Sequence, residues 1–346
     1  METTLGKACI LKSGKFIAAK EIQDQYADGL FPCFGGNGIR GYVTEYSHEG
    51  TYPLIGRQGA LCGNVNYANG KFRATEHAVV VQPVEEIDTR WLYYKLTAMN
   101  LGQYATGAAQ PGLAVSKLEQ LPLTIPSYGE QKKTARMLDL VEQLITLRRE
   151  QLAKLDQLVK SQFIELFGDP ITNSNNLPTE RMEQRFGLKA GITTAADDIH
   201  DFQEGAYEIP CYGGNGIRGY VKEKSYTGDY PIIGRQGALC GNVQYATGDF
   251  HATEHAVLVS LLKNDNSVWV YHLLKLMDLY RYHTGAAQPG LAVKTLNTVE
   301  VIVADKGIQE QFAAFVEQTD KSKLEIQQSL KKLEILKKSL MQEYFG

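Results

Sequence analysis

The sequence lacks the segments that mark secreted and membrane proteins. Its N-terminal region has no apolar core of signal-peptide length, and no apolar run approaches the roughly 18 residues of a membrane span. None of the five cysteines forms a CxxC pair, and an odd number of cysteines without a secretion signal favours reduced thiols. We therefore expect a cytoplasmic protein without structural disulfides.

The sequence also lacks the motifs of several enzyme classes. There is no GxxxxGK[ST] loop, which argues against an ATP motor, and no HExxH, zinc-spaced Cys/His set, GxSxG or NPPY motif. The GGNGIRGY segment is only superficially like a nucleotide-binding loop, because it does not follow a Rossmann pattern and no acidic residue stands on a next strand. We expect a chain that binds a target and holds no metal or cofactor of its own.

Length and composition indicate a globular protein of two or three domains. The chain has 346 residues, of which 43% are hydrophobic and 22% charged, and its 33 glycines concentrate in particular loops. The net charge of −3 does not by itself indicate a nucleic-acid-binding protein. A local basic loop can still contact phosphates while acidic residues occupy other faces.

One stretch of the sequence occurs twice. Residues 32–81 recur as residues 210–259, 178 positions later, with 38 of 50 positions identical, and residues 106–115 recur unchanged as residues 284–293. Two copies of one surface suit a target that itself has two similar parts, such as an inverted repeat. The duplication is the main clue to function.

Each repeat runs from a glycine-punctuated, β-rich block through a short helix to a long leucine-rich helix. The segment from Glu130 to Phe167 contains neither glycine nor proline, and apolar residues follow a 3-4 spacing that is typical of a coiled coil. We predict an α+β fold of two similar domains with β-rich cores, separated by an antiparallel coiled coil of the two long helices, with pseudo-twofold symmetry. The predicted pairing seam comprises Leu138, Val141, Ile145, Leu152, Leu155 and Val159 on the first helix and Ile326, Leu330, Leu333 and Leu340 on the second.

The same pattern predicts the boundaries of the domains. The first globular domain spans residues 1–127 and its long helix residues 128–168. The second globular domain spans residues 169–306 and its helix residues 307–346.

A duplicated set of polar residues lies in the glycine-rich loops. Arginine can donate two hydrogen bonds to guanine, and asparagine or glutamine can pair with adenine in the same way. Flanking glycines let backbone amides approach phosphates closely. The candidate DNA-binding residues are Asn37, Arg40, Arg57, Gln58, Asn64 and Gln110, repeated as Asn215, Arg218, Arg235, Gln236, Asn242 and Gln288.

A structural role for these polar residues stays open, because GGNG is also typical of a tight hairpin turn. Buried arginine or asparagine can lock turns by hydrogen bonds to backbone carbonyls. Among the candidates, Arg57, Arg235, Asn37 and Asn215 are the first choice, since all four lie in loops bounded by glycine.

The order of these segments resembles the DNA specificity subunit of type I restriction–modification systems. The YGGNGI-x-GY, IGRQGALCGNV and TGAAQPGLAV segments and the long leucine-rich helix carry the resemblance, which extends over both halves of the chain. The second copy departs in one place, where Asp305, Lys306 and Gly307 precede the helix instead of a proline.

The resemblance implies a non-catalytic reader of double-stranded DNA whose two globular blocks are target recognition domains. It also implies that the long helices dock two modification (methyltransferase) subunits, which hold S-adenosylmethionine and methylate adenine, and that a restriction subunit can then join. Because the two repeats are so similar, we expect a nearly palindromic bipartite target.

Three alternatives remain at this stage. The nearest alternative is a specificity subunit of a type IIB-like enzyme, with cleavage in a fused partner. A duplicated enzyme using Cys62 and His77, with Cys240 and His255, would be a different class. A protein-interaction adaptor is the third alternative. The Glu76-His77 pair precedes an apolar strand, where a structural polar cap is the commoner role.

Overall fold

The computed structural model describes residues 1–84, 86–107, 111–237, 239–285 and 289–346. The chain forms two compact units, and the boundaries of neither unit coincide with those of a repeat. The first unit comprises Met1–Arg149 with Ser329–Gly346, and the second comprises Glu150–Gln328. Both units combine sheets and helices, so the predicted α+β class with two similar domains is confirmed. The boundaries predicted from the sequence stay a prediction.

The first repeat contributes eight strands, three short helices and one long helix. In chain order they are β1 (Glu2–Thr4), α1 (Leu5–Ala8), β2 (Cys9–Ser13), β3 (Phe31–Gly35), β4 (Gly38–Val43), β5 (His48–Gly56), β6 (Val65–Ala74), β7 (Ala78–Pro83), α2 (Thr89–Ala98), α3 (Val115–Glu119), β8 (Pro122–Thr124) and α4 (Tyr128–Phe167).

The second repeat has the same order of elements, except that two strands stand in place of β5 and two in place of β6. Its elements are β9 (Thr179–Arg181), α5 (Met182–Arg185), β10 (Phe186–Ala190), β11 (Ile209–Gly213), β12 (Gly216–Val221), β13 (Tyr226–Thr227), β14 (Tyr230–Gly234), β15 (Val243–Ala246), β16 (Asp249–Ala252), β17 (Ala256–Leu261), α6 (Ser267–Leu276), α7 (Val293–Asn297), β18 (Glu300–Ile302) and α8 (Lys306–Phe345). Within the described residues, none of the helices combines the length and the apolarity that a membrane crossing requires.

The large sheet of the first unit has six strands in the order β2-β7-β5-β6-β3-β4. All neighbours pair antiparallel except β3 and β6, which pair parallel. In the second unit the equivalent strands form two four-stranded sheets, β10-β17-β14-β15 and β12-β11-β16-β13. Asp229 stands where the first repeat has Thr51, and aspartate is depleted in strands, which accounts for the interruption of the longer ladder.

A buried glutamine fixes the start of each long helix to its own repeat. Gln131 is 1% exposed, accepts from the backbone N–H of Asp88 at 2.8 Å, and donates to the carbonyl of Pro126 at 3.1 Å. Asp88 in turn caps α2, since its carboxylate accepts from the N–H groups of Arg90 and Trp91. Thus the N-termini of α2 and α4 share one hydrogen-bond network.

The second repeat forms the same network with different capping chemistry. Gln309 accepts from the N–H of Asn266 at 2.8 Å and donates to the carbonyl of Ala304 at 3.0 Å. Asn266 caps α6 by accepting from the N–H groups of Val268 and Trp269. The equivalent glutamine therefore ties α8 to the second repeat.

In the first unit α4 and the end of α8 run antiparallel. Glu142 pairs with Lys337 at 2.8 Å, and Arg149 pairs with Glu334 at 2.7 Å. The apolar residues of this pair belong to one hydrophobic cluster, which contains Leu138, Val141, Ile145 and Leu340, with Leu330 and Leu333 packed against it. These are six of the ten residues predicted for the seam.

In the second unit the end of α4 runs antiparallel to the start of α8. Lys323 pairs with Asp156 at 2.7 Å, and the rings of Phe163 and Phe312 meet edge to face at 5.4 Å. Val159 is buried in this cluster. The remaining three predicted seam residues, Leu152, Leu155 and Ile326, are partly buried.

The long helices exchange their ends between the repeats. In the first unit Trp91 packs against Phe345, from the helix that follows the second repeat, with ring centroids 6.2 Å apart. In the second unit Trp269 packs against Phe167, from the helix that follows the first repeat, at 5.8 Å. Each unit therefore completes its core with residues from the other repeat.

This exchange predicts which unit responds to a change at each helix end. Phe167→Ala should cost about 3 kcal/mol of local stability, because it empties a site that is 1% exposed beside Trp269. Amide hydrogen exchange in Ser267–Leu276 should then accelerate by roughly 100-fold. Phe345→Ala is the matched control, and it should accelerate amide hydrogen exchange in Thr89–Ala98 instead. If the Phe167 variant showed faster amide hydrogen exchange only in Thr89–Ala98, the assignment of the end of α4 to the second unit would be wrong.

Candidate nucleic-acid interface

The GGNG segment is a two-residue hairpin between β3 and β4. Gly35 pairs with Gly38, and Gly36 and Asn37 form the turn. Gly38 has a φ of +100°, a conformation that side chains with a Cβ rarely adopt. The second repeat has the same pairing between Gly213 and Gly216. The segment is thus the tight turn that the sequence left open, and it presents an exposed asparagine at its tip.

The two predicted asparagines of each repeat are in direct contact. The side-chain amide of Asn64 donates to the side-chain carbonyl of Asn37 at 2.7 Å, and Asn242 donates to Asn215 at 2.6 Å. An asparagine side chain has two donor hydrogens and an oxygen with two lone pairs, so each pair keeps capacity for further hydrogen bonds. The contact fixes the orientation of both amides at an exposed position.

Backbone hydrogen bonds hold the loops around this hairpin. The N–H of Arg57 donates to the carbonyl of His77 at 3.0 Å, and the N–H of Leu113 donates to the carbonyl of Arg57 at 2.9 Å. The N–H of Gly59 donates to the carbonyl of Pro111 at 3.0 Å. The second repeat repeats all three bonds at Arg235, Leu291 and Gly237. The side chains carried by these loops therefore have a fixed framework.

In the second repeat the loops border a shallow, open concave site of about 610 Å³. Three predicted residues line it, namely Asn215, Arg218 and Gln236. In the first repeat Asn37, Arg40 and Gln58 are likewise exposed. The remaining lining consists of Gly213, Gly214, Gly216, Gly237, Ile217, Leu239 and His255.

Arg57 and Arg235 are placed differently from the other candidates. Both are partly buried, and the Arg57 guanidinium donates from Nη1 to the hydroxyl of Ser13 at 3.0 Å. In the second repeat Ala190 occupies the equivalent position, since Ser13 pairs with Val79 and Ala190 with Val257. Arg57 therefore has a hydrogen bond to β2 that the alanine cannot offer Arg235.

Gln110 and Gln288 lie outside the described residues. The described residues on either side of each glutamine are joined by two backbone hydrogen bonds. Thr106 and Gly112 exchange N–H···O bonds of 2.8 Å, and Thr284 and Gly290 do the same at 2.8 and 2.9 Å.

The sequence indicated His77 and His255 only for a rival enzyme, and it did not single out the apolar residues of this site. His255 lines the cavity of the second repeat, and His77 Nε2 lies 3.1 Å from Glu76 Oε1 in the first. Ile217 and Leu239 line the same cavity with more than half of each side chain exposed. The signal that could have found them is their identity in both copies, beside the polar candidates.

The thiols of these loops are poorly suited to nucleophilic catalysis. Burial raises the pKa of the Cys62 thiol, although the charge of Arg57 opposes the shift, and burial also raises the pKa of Cys240. Burial raises the pKa of Cys211 to about 11. These thiols stay protonated at neutral pH, whereas a nucleophilic cysteine needs a lowered pKa. In the part of the chain that the structure describes, no cluster of three His, Cys, Asp or Glu side chains could hold a metal ion.

The fold and the paired sites define a two-domain specificity protein. The model of the type I restriction modification DNA specificity domain matches residues 2–157 and 199–337, and the chain therefore belongs to this family.

Two curated relatives match parts of the chain. The specificity subunit of the Escherichia coli type I restriction enzyme EcoprrI is 52% identical over 142 residues, 41% of this chain and 35% of that protein. A Haemophilus influenzae relative is 35% identical over 119 residues, 34% of this chain and 31% of the relative. The matches thus span about a third of the length of these relatives.

Two solved structures share the fold. The S subunit of a type I restriction–modification system from M. genitalium aligns with a TM-score of 0.72 at 19% identity, over 100% of this chain and 96% of that chain. A chain from a structure on complex assembly and conformational transition of the type I R-M system aligns with a TM-score of 0.53 at 11% identity, over 100% of this chain and 97% of the other.

The close approach of two glycines at the site yields a stability prediction. A Cβ on Gly56 would lie 1.9 Å from the carbonyl oxygen of Gly36, and one on Gly234 would lie 1.8 Å from that of Gly214. Gly56→Ala should therefore cost about 3 kcal/mol, because backbone atoms must move to relieve the overlap. Thermal unfolding of the affected unit should occur roughly 6–12 °C lower.

The matched control is Gly129→Ala on α4, where an added Cβ meets no atom within 4 Å. Calorimetry should show no loss of stability for this control. An unchanged melting temperature for Gly56→Ala would contradict the packing described for the hairpin.

Proposed function

We propose that this chain is the sequence-specific DNA-binding subunit of a type I restriction–modification complex and has no catalytic activity of its own. The observation that carries the proposal is the duplicated cluster of Asn, Arg and Gln side chains at two equivalent glycine hairpins. Membership of the specificity domain family in both repeats supports it.

The β3–β4 hairpin and its counterpart lie at the edge of their sheets and present an exposed asparagine at a tight turn. The major groove is wide enough to admit such a hairpin. Exposed Arg40 and Arg218 are suited to guanine, and the amides of Asn37 and Asn215 are suited to adenine. The glycines of the turn leave the backbone open to phosphates.

The two repeats carry the same residues at these positions, so we propose two similar half-sites separated by an unspecified spacer. Methylation of adenine would be performed by partner modification subunits, which would hold S-adenosylmethionine and act with this chain in the cytoplasm. The present chain would select the DNA site at which the partner subunits transfer the methyl group.

Mapping of methylated adenine tests the DNA-reading role. A host that expresses this chain with its modification subunits should acquire methylation at one bipartite sequence with nearly inverted half-sites. The comparison is the same host with the modification subunits alone, which should lack this methylation. Two unrelated half-sites would contradict the proposed equivalence of the repeats.

A stripe of exposed leucines offers a docking surface for one of the modification subunits. Leu140, Leu144 and Leu147 are 52%, 45% and 53% exposed, and their spacing puts them on one face of α4. Exposed apolar stripes of this kind bind amphipathic helices of partner proteins. The equivalent positions of α8 are Gln318, Ser322 and Glu325, so the stripe is a property of the first long helix alone.

The two helices therefore provide a variant and its control. Leu144→Asp should weaken binding of the modification subunit by roughly tenfold or more, because a leucine buried at an interface contributes about 1.5–3 kcal/mol. Ser322→Asp, at the equivalent position of α8, should leave binding unchanged. Sedimentation of the mixed subunits measures both. Equal losses in the two variants would place the contact elsewhere.

A further inference from the structure

Four exposed apolar side chains border the two candidate interfaces. Ile39 and Leu61 are 55% and 54% exposed in the first repeat, and their counterparts Ile217 and Leu239 are each 53% exposed. Single exposed apolar residues are ordinary on protein surfaces. A pair that recurs at the same two positions of both repeats, with matching exposure, is a feature of the site.

These side chains are held in place by the surrounding loops. Ile217 pairs with Tyr212 across the hairpin. Leu239 lies in a turn closed by the bond from the N–H of Cys240 to the carbonyl of Gly237, and its own carbonyl accepts from the N–H of Asn242 at 3.1 Å. The turn around Leu61 has the same two bonds. The N–H of Cys62 donates to the carbonyl of Gly59, and the N–H of Asn64 donates to the carbonyl of Leu61. The exposure is therefore built into the turn.

The apolar pair shares its cavity with groups that recognise base edges. Ile217 and Leu239 line the same 610 Å³ site as Asn215, Arg218 and Gln236. Among the groups that the major groove presents, the C5-methyl of thymine is the apolar one. An asparagine that pairs with adenine would thus have apolar neighbours in the same site.

We propose that Ile39 and Leu61, with Ile217 and Leu239, contact thymine methyl groups in the two half-sites and contribute to sequence selection. The inference rests on the proposed DNA-reading function and deepens it. It assigns A·T pairs to each half-site next to the positions read by the asparagines.

Replacement of thymine by deoxyuridine tests this assignment, because it removes the methyl group and leaves every hydrogen-bonding group unchanged. The probe is a labelled duplex with the mapped target, bound by the complex of this chain with its modification subunits. Each contacted methyl should contribute roughly fourfold to the affinity, as expected for burial of one such group. The wild-type complex should therefore bind the deoxyuridine duplex more weakly.

Four variants are then compared with the wild type on the thymine and deoxyuridine duplexes. They are Ile217→Ser and Leu239→Ser, with Ile39→Ser and Leu61→Ser in the other repeat. At least one of them should bind the thymine duplex more weakly and lose its sensitivity to deoxyuridine at one position. Ile171→Ser is the control, since Ile171 is 45% exposed and does not line the cavity. It should keep the wild-type response.

Two outcomes would overturn the proposal. They are a wild-type complex that is indifferent to deoxyuridine, and four variants that all retain full sensitivity to deoxyuridine. Variants that retain this sensitivity while binding both duplexes more weakly would indicate a wedge between base steps instead of a methyl contact. Failure of the DNA-reading function is distinguishable, because the complex would then not discriminate the target from a scrambled duplex.

Discussion

Each unit depends on one aromatic contact with the end of a long helix. Phe345 packs on Trp91 in the first unit, and Phe167 packs on Trp269 in the second. Each long helix begins on its own repeat, where the amide of Gln131 or Gln309 ties it to the next helix start. Each then ends in the core of the unit built around the other repeat. Since buried aromatic residues contribute large apolar areas, neither core is complete without this second segment. The rest of the fold, including the loops that form the interface, is built on these cores.

The duplication predicted much of this arrangement. Polar residues that recur 178 positions apart lie at equivalent hairpins, and six of the predicted seam residues lie in one cluster. Periodicity cannot tell which tryptophan receives which helix end, because Phe167 and Phe345 follow the same pattern. Nor does it tell that Arg57 turns toward Ser13, a contact between residues 44 positions apart. Exposure of Ile39 and Leu61 also depends on turn geometry that residue type does not reveal.

The repeats have diverged where the short helix α2 or α6 packs on a long helix, and they have stayed alike in the loops. In the first unit Arg90 of α2 pairs with Asp139 and Glu142 of α4. In the second unit Val268 stands in place of Arg90, and His272 stands in place of Tyr94. Burial, together with the charges of Lys275 and Lys323, lowers the pKa of His272 to about 3, so it packs as a neutral ring against Phe312. Ion pairs in the first unit and ring packing in the second thus join the equivalent helices.

The composition of the units also sets the order in which they can form during synthesis. The unit of Glu150–Gln328 is one continuous stretch, whereas the other needs Ser329–Gly346, which leaves the ribosome after every residue of its neighbour. Translation adds about 5–20 residues each second, so the first repeat to emerge waits on the order of 10–40 s with Trp91 uncovered. A nascent chain cut short before Phe345 would carry one complete unit and one incomplete unit, and Trp91 would leave apolar surface exposed on the incomplete one.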